Sequence, residues 1–161
     1  MTSVLWFQGG ACSGNTMSFL NASEPSVVDL IVDFGMEVIW HPSLGVQMGK
    51  EAQQLFRDCA SGKKKVDIFV FEGSVIEGPN GTGRFDLFAD RPMKDWVKEM
   101  CEAADIVVAI GDCAPLAMTS LASPPVATRL ASLMNWPSLI VSSRIATSWA
   151  CMVPESSPPI P

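Results

Sequence analysis

The chain has 161 residues, 48% of them hydrophobic and 17% charged, with a formal net charge of -6. These figures suit one soluble domain with a buried core and exclude collagen-like, disordered and coiled-coil classes. The acidic balance and the shortness of basic clusters such as Lys63-Lys64-Lys65 give a phosphate backbone nothing to sit on, so no nucleic acid partner is expected. No apolar stretch reaches the roughly 18 residues that a membrane span needs. A strand-like run at residues 4–7 leaves no room before it for a charged leader or an apolar signal core. A cytoplasmic location without a membrane span is therefore expected. Five cysteines at irregular spacing argue against a disulfide framework and for thiols that are core, ligand or reactive.

In chain order, apolar β-prone runs alternate with helical patterns. The first strand is expected at residues 4–7. A helix follows at 27–34, opened by Ser26 or Glu24-Pro25 and closed by Gly35. A strand at 37–40 and a helix at 52–60 come next, then a strand at 66–71. The long loop 78–90 contains the turn signal Asn80-Gly81-Thr82-Gly83 and three apolar residues, Phe85, Leu87 and Phe88, which suit either a partner surface or a loop folded back on the core. A helix at 93–104 starts after Pro92, with Trp96, Val97 and Met100 expected to pack on the sheet. The strand at 106–110 ends the series. The runs at 66–71 and 105–110 are almost continuously apolar, as strands covered by helices on both faces are. This succession predicts an open, doubly wound α/β sheet. Further on, a helix at 126–134 and a strand at 138–142 are expected, before a proline-rich end.

Doubly wound sheets bind their ligands outside the carboxyl ends of the strands. The loops there are Gln8-Gly9-Gly10-Ala11-Cys12-Ser13-Gly14-Asn15-Thr16, Glu72-Gly73-Ser74 and Gly111-Asp112-Cys113-Ala114. Cys12 and Cys113 thus fall at carboxyl ends that such a sheet brings close together. Glycines beside them let backbone N–H groups approach a bulky inorganic group and point at its anionic sulfurs. Competing readings of the first loop remain. As a phosphate cradle it lacks the Gly-Lys-Ser/Thr ending of a P-loop and the Gly-x-Gly-x-x-Gly spacing of a dinucleotide loop. As a catalytic thiol, Cys12 needs a base, and the sole histidine, His41, precedes Pro42 after a strand, where a structural or partner-facing role fits better. Cys12 and Cys113 are also readable as small buried residues, the reading that Cys59 and Cys101 invite from their helices. Neither of those two has the spacing of a zinc site.

The segments Val4-Leu5-Trp6-Phe7-Gln8-Gly9-Gly10-Ala11-Cys12-Ser13-Gly14-Asn15-Thr16, Trp40-His41-Pro42-Ser43-Leu44-Gly45, Phe71-Glu72-Gly73, Pro79-Asn80-Gly81-Thr82-Gly83, Phe88-Ala89-Asp90-Arg91-Pro92-Met93-Lys94-Asp95-Trp96 and Gly111-Asp112-Cys113-Ala114 together resemble the small, iron–sulfur subunit of NiFe hydrogenases. The subgroup they resemble is the cytoplasmic uptake type of cyanobacteria and actinobacteria. The resemblance implies a flavodoxin-like domain over residues 1–114. Its loops would hold the iron–sulfur cluster nearest the nickel–iron centre of a separate large subunit, which splits hydrogen and passes electrons to this chain and on to a redox acceptor. By the same resemblance Cys12 and Cys113 are cluster ligands. Asn15 stands where many relatives carry the second cysteine of a Cys-x-x-Cys pair, so a 4Fe-4S cluster with a non-cysteine ligand and a 3Fe-4S cluster are both implied.

The motifs stop after Ala114. The Gly-Gly segment and the Pro-Gly-Cys-Pro motif of the family have no counterpart, and Cys151 does not fit a ligand position. Composition changes at the same place: residues 113–161 hold no glycine, 8 of the 12 prolines and only Arg129, Arg144 and Glu155 as charges. Residues 115–161 are accordingly read as a non-matching tail from a shifted frame, a truncation or a recombination. The alternative functions are a noncatalytic flavodoxin-like binding or regulatory module, whose 9–16 loop contacts a protein without metal, and an unproductive truncated product.

Overall fold

The computed structural model describes residues 1–111 and Ala114. The expected helix at 126–134 and strand at 138–142, together with Cys113 and Cys151, lie outside the described residues.

Four strands, β1 (Thr2–Gln8), β2 (Met36–Trp40), β3 (Ile68–Glu72) and the strand Ile106–Ile110, form one parallel sheet. Three longer connections carry helices α1 (Gly14–Leu20), α2 (Val27–Val32), α3 (Gly49–Ala60) and α4 (Met93–Ala103). The connection from β3 to α4 also contains a small antiparallel hairpin of β4 (Leu87–Phe88) and β5 (Arg91–Pro92). The last strand of the large sheet is therefore β6, and the sheet order is β2-β1-β3-β6. This is the doubly wound arrangement that the alternation of elements predicts, with the strand order of the flavodoxin-like domain that the resemblance implies.

The sheet is apolar on both faces because β1 and β3 are central. Register pairs Leu5 with Phe69 and Phe7 with Phe71 on one face, and Val4 with Ile68 and Trp6 with Val70 on the other. The first face packs against Phe56 and Cys59 of α3 and Met93, Trp96, Val97 and Met100 of α4, all buried. Phe7 lies at the centre of this layer, with the rings of Phe56, Phe69 and Phe88 edge-on at 5.0, 5.4 and 5.2 Å between centroids. Edge-on aromatic pairs add about 0.5–1.5 kcal/mol each beyond the area they bury. The second face is covered by Phe19 of α1 over Val4, Trp6 and Val70. Helix spacing on α4 places Trp96, Val97 and Met100 on its inner side, as expected.

Several boundaries differ from the sequence reading. Ser26 does open α2, by a capping box in which its hydroxyl accepts the Asp29 N–H while the Asp29 carboxylate accepts the Ser26 N–H at 2.7 Å. That helix ends at Val32 rather than 34. Helix α3 begins at Gly49, three positions before the apolar period starts, and β3 begins at Ile68 rather than 66. Helix α1 was not expected, because Ser, Asn and Thr near its start favour turns. In the 78–90 loop Phe88 folds back onto the core, whereas Phe85 and Leu87 are exposed. At the amino ends of the strands Lys65 pairs with Asp67 and Asp105, and Asp67 in turn accepts the Ser3 N–H at 2.7 Å. That network ties β1, β3 and β6 together at the end opposite the carboxyl-end loops.

Candidate functional site

At the carboxyl end of the sheet the chain after β1 runs along the chain after β3. The Gly10 and Ser74 backbones exchange hydrogen bonds, N–H to carbonyl, at 2.9 and 3.1 Å. Gly73 turns with φ at 92°, and a Cβ there would stand 2.5 Å from that of Ala11. A side chain at Gly73 would force the two loops apart, so its glycine is a condition of their close approach.

The loop then turns into α1 through Ser13, which adopts the left-handed conformation at φ 62°, and whose hydroxyl accepts a hydrogen bond from the Gln8 side-chain amide. Cys12, just before it, is a free and exposed thiol. Its Sγ sits over the helix start, 3.2 Å from where a Cβ on Gly14 would be.

Glu72 holds this turn from below. It is the last residue of β3 and 1% exposed. Its carboxylate accepts the Asn15 N–H at 3.0 Å, the Thr16 N–H at 3.2 Å and the Thr16 hydroxyl. The free N–H groups of the first turn of α1 are thus paired by a buried side chain from a neighbouring strand, where a negative charge also suits the helix dipole. The Phe71-Glu72-Gly73 motif does not by itself reveal this role of Glu72. Its signal was a carboxylate ending an otherwise apolar strand.

Asn15 projects toward β6. A Cβ on Gly111, where φ is 81°, would stand 2.6 Å from the Asn15 amide nitrogen. Gly111 follows β6 directly and precedes Cys113 by two residues. The structure therefore brings Cys12, Asn15 and the end of β6 to one end of the sheet, while Cys113 itself lies outside the described residues. Strand β3 stands between β1 and β6, so the two loops meet across the top of β3.

His41 lies in the floor beneath α1. It is 1% exposed, with its ring edge-on to Trp6 at 4.9 Å and tilted to Phe19 at 5.9 Å between centroids. Its Nδ1 accepts the Ser43 N–H at 3.0 Å, which places the ring proton on Nε2, a buried atom without a hydrogen-bond partner among the described residues. Burial pushes its basicity down, with the Glu72 charge acting weakly in the opposite direction. His41 is thus a packed core side chain. Cys59 and Cys101 are buried thiols as expected, pushed up by desolvation to about 11 and about 12.

Toward an iron–sulfur cluster the described residues would offer one accessible thiol, Cys12, on a loop that Glu72 holds from below, at the end of the sheet where β6 leads on to Cys113. No group of three or more His, Cys, Asp or Glu side chains able to hold a metal ion occurs among the described residues, and a cluster on Cys12 would take its further ligands from beyond them.

Comparison with known proteins agrees with this architecture. The family described as NADH ubiquinone oxidoreductase, 20 Kd subunit, matches residues 12–141, and the chain belongs to it. Within that class its relatives are NiFe hydrogenase small subunits. The F420 non-reducing hydrogenase I small subunit of Methanosarcina mazei is 29% identical over 125 residues, covering 70% of this chain and 32% of the relative. A cytochrome c3 hydrogenase small chain of Acidithiobacillus ferrooxidans is 72% identical over 36 residues, 22% of this chain and 90% of that one. The actinobacterial-type NiFe-hydrogenase from Ralstonia eutropha H16 superposes with a TM-score of 0.61 at 28% identity, over 71% of this chain and 37% of the other. The chain spans about a third of the length of the Methanosarcina subunit. The family match runs on to residue 141, past Ala114 where the quoted motifs end.

Proposed function

We propose that the chain is the electron-transfer part of a NiFe uptake hydrogenase, acting beside a large subunit that carries the nickel–iron centre. The observation that carries this reading is the exposed Cys12 thiol on a loop fixed from below by Glu72 and met from the side by Gly111. In this reading Cys12 and Cys113 hold an iron–sulfur cluster, 4Fe-4S or 3Fe-4S, with Asn15 beside them. Such a cluster supplies one-electron transfer. The residues of the chain provide position: Glu72 keeps the α1 turn in place, the glycines admit close backbone approach, and the Trp6–Phe19–His41 layer keeps water from beneath the loop. The 1–114 domain is the cluster-binding unit; the hydrogenase motifs end at Ala114, and of the 115–161 segment the family match takes in the residues up to 141. The complex works in the cytoplasm and reaches a redox acceptor, or a membrane, through partners. No described helix is long and apolar enough to cross a membrane.

The test is anaerobic co-expression of the full chain with a NiFe large subunit, followed by iron and acid-labile sulfide analysis and EPR. Wild type is expected to carry iron and sulfide with a reducible cluster signal, and Cys12→Ala to lose both. Wild type without iron that still binds a protein partner would establish the binding-module reading instead.

A further inference from the structure

The polar or charged side chains buried among the described residues are Ser3, Thr16, His41 and Glu72. The last three meet at α1: Thr16 belongs to the helix, Glu72 hydrogen-bonds to its first turn, and His41 packs under Phe19. Thr16 and Glu72 satisfy each other, which accounts for their burial. His41 is not accounted for in this way. Its Nε2–H meets no acceptor among the described residues, and a phenyl ring would fill the same space against Trp6 and Phe19 without stranding a donor. What a phenyl ring cannot do is take up a proton near neutral pH.

The two edges of the ring have different surroundings. Nε2 is buried, whereas Nδ1 accepts the Ser43 N–H at 3.0 Å from a loop whose residues 43–46 are exposed. A proton therefore reaches Nδ1 from solvent by the opening of one hydrogen bond, without crossing the core. Of the elements in contact with the ring, β1 through Trp6 and α1 through Phe19 carry no titratable side chain. The loop before α1 adds the Cys12 thiol, and β2, which runs into His41, adds Glu37, which Lys64 pairs at 3.1 Å. Glu72 of β3 is the charge that acts on the imidazole, and it favours the protonated ring, whereas burial holds the ring neutral. A further negative charge on this side of the sheet acts in the same direction as Glu72. The turn that Glu72 holds is the one that follows Cys12.

We propose that His41 takes up one proton when an electron enters an iron–sulfur cluster on the Cys12 loop, and releases it when the electron leaves. The proton comes from solvent. Its bond to Nδ1 forms as the hydrogen bond from Ser43 is given up, Nε2 keeps its own proton, and the electron is the one that hydrogen oxidation supplies. The inference rests on the functional reading above for the cluster, whereas the buried ring, its solvent-facing Nδ1 edge and the Glu72 charge stand by themselves.

The experiment is an EPR-monitored redox titration of the full chain, co-expressed anaerobically with a NiFe large subunit, at several values between about pH 5.5 and 8.5. Wild type, His41→Asn and His41→Gln are compared, with iron and sulfide content measured for each. The wild-type midpoint potential is expected to fall as pH rises, by up to about 59 mV for each tenfold drop in proton activity, the one-electron value. The slope is confined to the range between the proton affinities of His41 in the oxidised and reduced protein. Both variants, at the iron content of wild type, are expected to lose the slope, which a merely structural role of the ring would not move. A wild-type potential independent of pH overturns the inference without need of a variant. A variant that keeps both its iron and the wild-type slope places the proton elsewhere and overturns it too, and either result leaves the hydrogenase reading intact. Wild type without iron overturns that reading and this inference together.

Discussion

The Asn15 amide nitrogen lies 2.6 Å from the point where a Cβ on Gly111 would stand, so the turn after β1 and the end of β6 touch across the top of β3. That contact places the loop carrying Cys12 beside the strand end leading to Cys113, although the two strands are not neighbours. Gly111→Ala puts a methyl group into this space at a positive φ. The strained backbone alone costs about 1 kcal/mol, and the displaced Asn15 side chain adds to it. The expected outcome is a modest fall in thermal stability together with an altered EPR spectrum of the assembled chain. An unchanged spectrum would separate Asn15 from the cluster.

Glu72 gives a larger effect. Glu72→Ala leaves the Asn15 and Thr16 N–H groups and the Thr16 hydroxyl without their acceptor in a buried place, and each unsatisfied group costs about 1–3 kcal/mol less whatever water regains access. A loss of about 3 kcal/mol by urea unfolding is expected. Glu72→Gln keeps one acceptor oxygen and loses less. Equal stability of Glu72→Ala and wild type would show that the α1 turn is held by something else.

Much of this arrangement is legible in the amino-acid sequence, for definite reasons. The β1, β3 and β6 runs are readable because strands buried on both faces have no polar alternation to obscure them. The Ser26 cap and the Pro92 start of α4 are readable because caps are local chemistry. Helix α1 is not readable: its stability comes from the carboxylate of Glu72, 57 positions away from Asn15 in the chain, and no window of neighbouring residues contains that fact. The same holds for Gly111, which reads as a turn glycine until Asn15 is seen against it. Cys12 is readable as a site residue because glycine-rich loops at strand ends are a local pattern, whereas its distance from Cys113 is a tertiary property.

The thiols are expected to differ sharply in reactivity. Cys59 and Cys101 are buried and pushed up to about 11 and about 12, so at neutral pH almost none of either is thiolate. Cys12 is exposed. Iodoacetamide under native, cluster-free conditions followed by peptide mass spectrometry is expected to modify Cys12 well before the other two, and urea to erase the difference. Rapid native labelling of Cys59 would contradict the packing of α3 on the sheet.

Acid is expected to act on the fold in two separate windows. His41 is buried with its basicity lowered from 6.5 by desolvation, so the unfolded chain binds its proton more readily than the folded one. Its contribution is complete above about pH 6.5 and is lost as pH falls from there through the lower folded value. Protonation also turns the Nδ1 acceptor into a donor and breaks its bond from the Ser43 N–H. Asp29 and Asp67 are held below 3.8 by hydrogen bonds from Ser26 and by Lys65 with Ser3, so their contributions are complete above about 3.8 and are lost progressively as pH falls from there through the lowered folded values. Urea midpoints measured from pH 7.5 to 4.5 are expected to decline in wild type. His41→Asn, which keeps an acceptor for Ser43 but does not titrate, is expected to be less stable at pH 7.5 and flat across the same range. A wild-type curve parallel to that of His41→Asn would mean that the ring is protonated in the fold, and that the floor beneath α1 admits the charge.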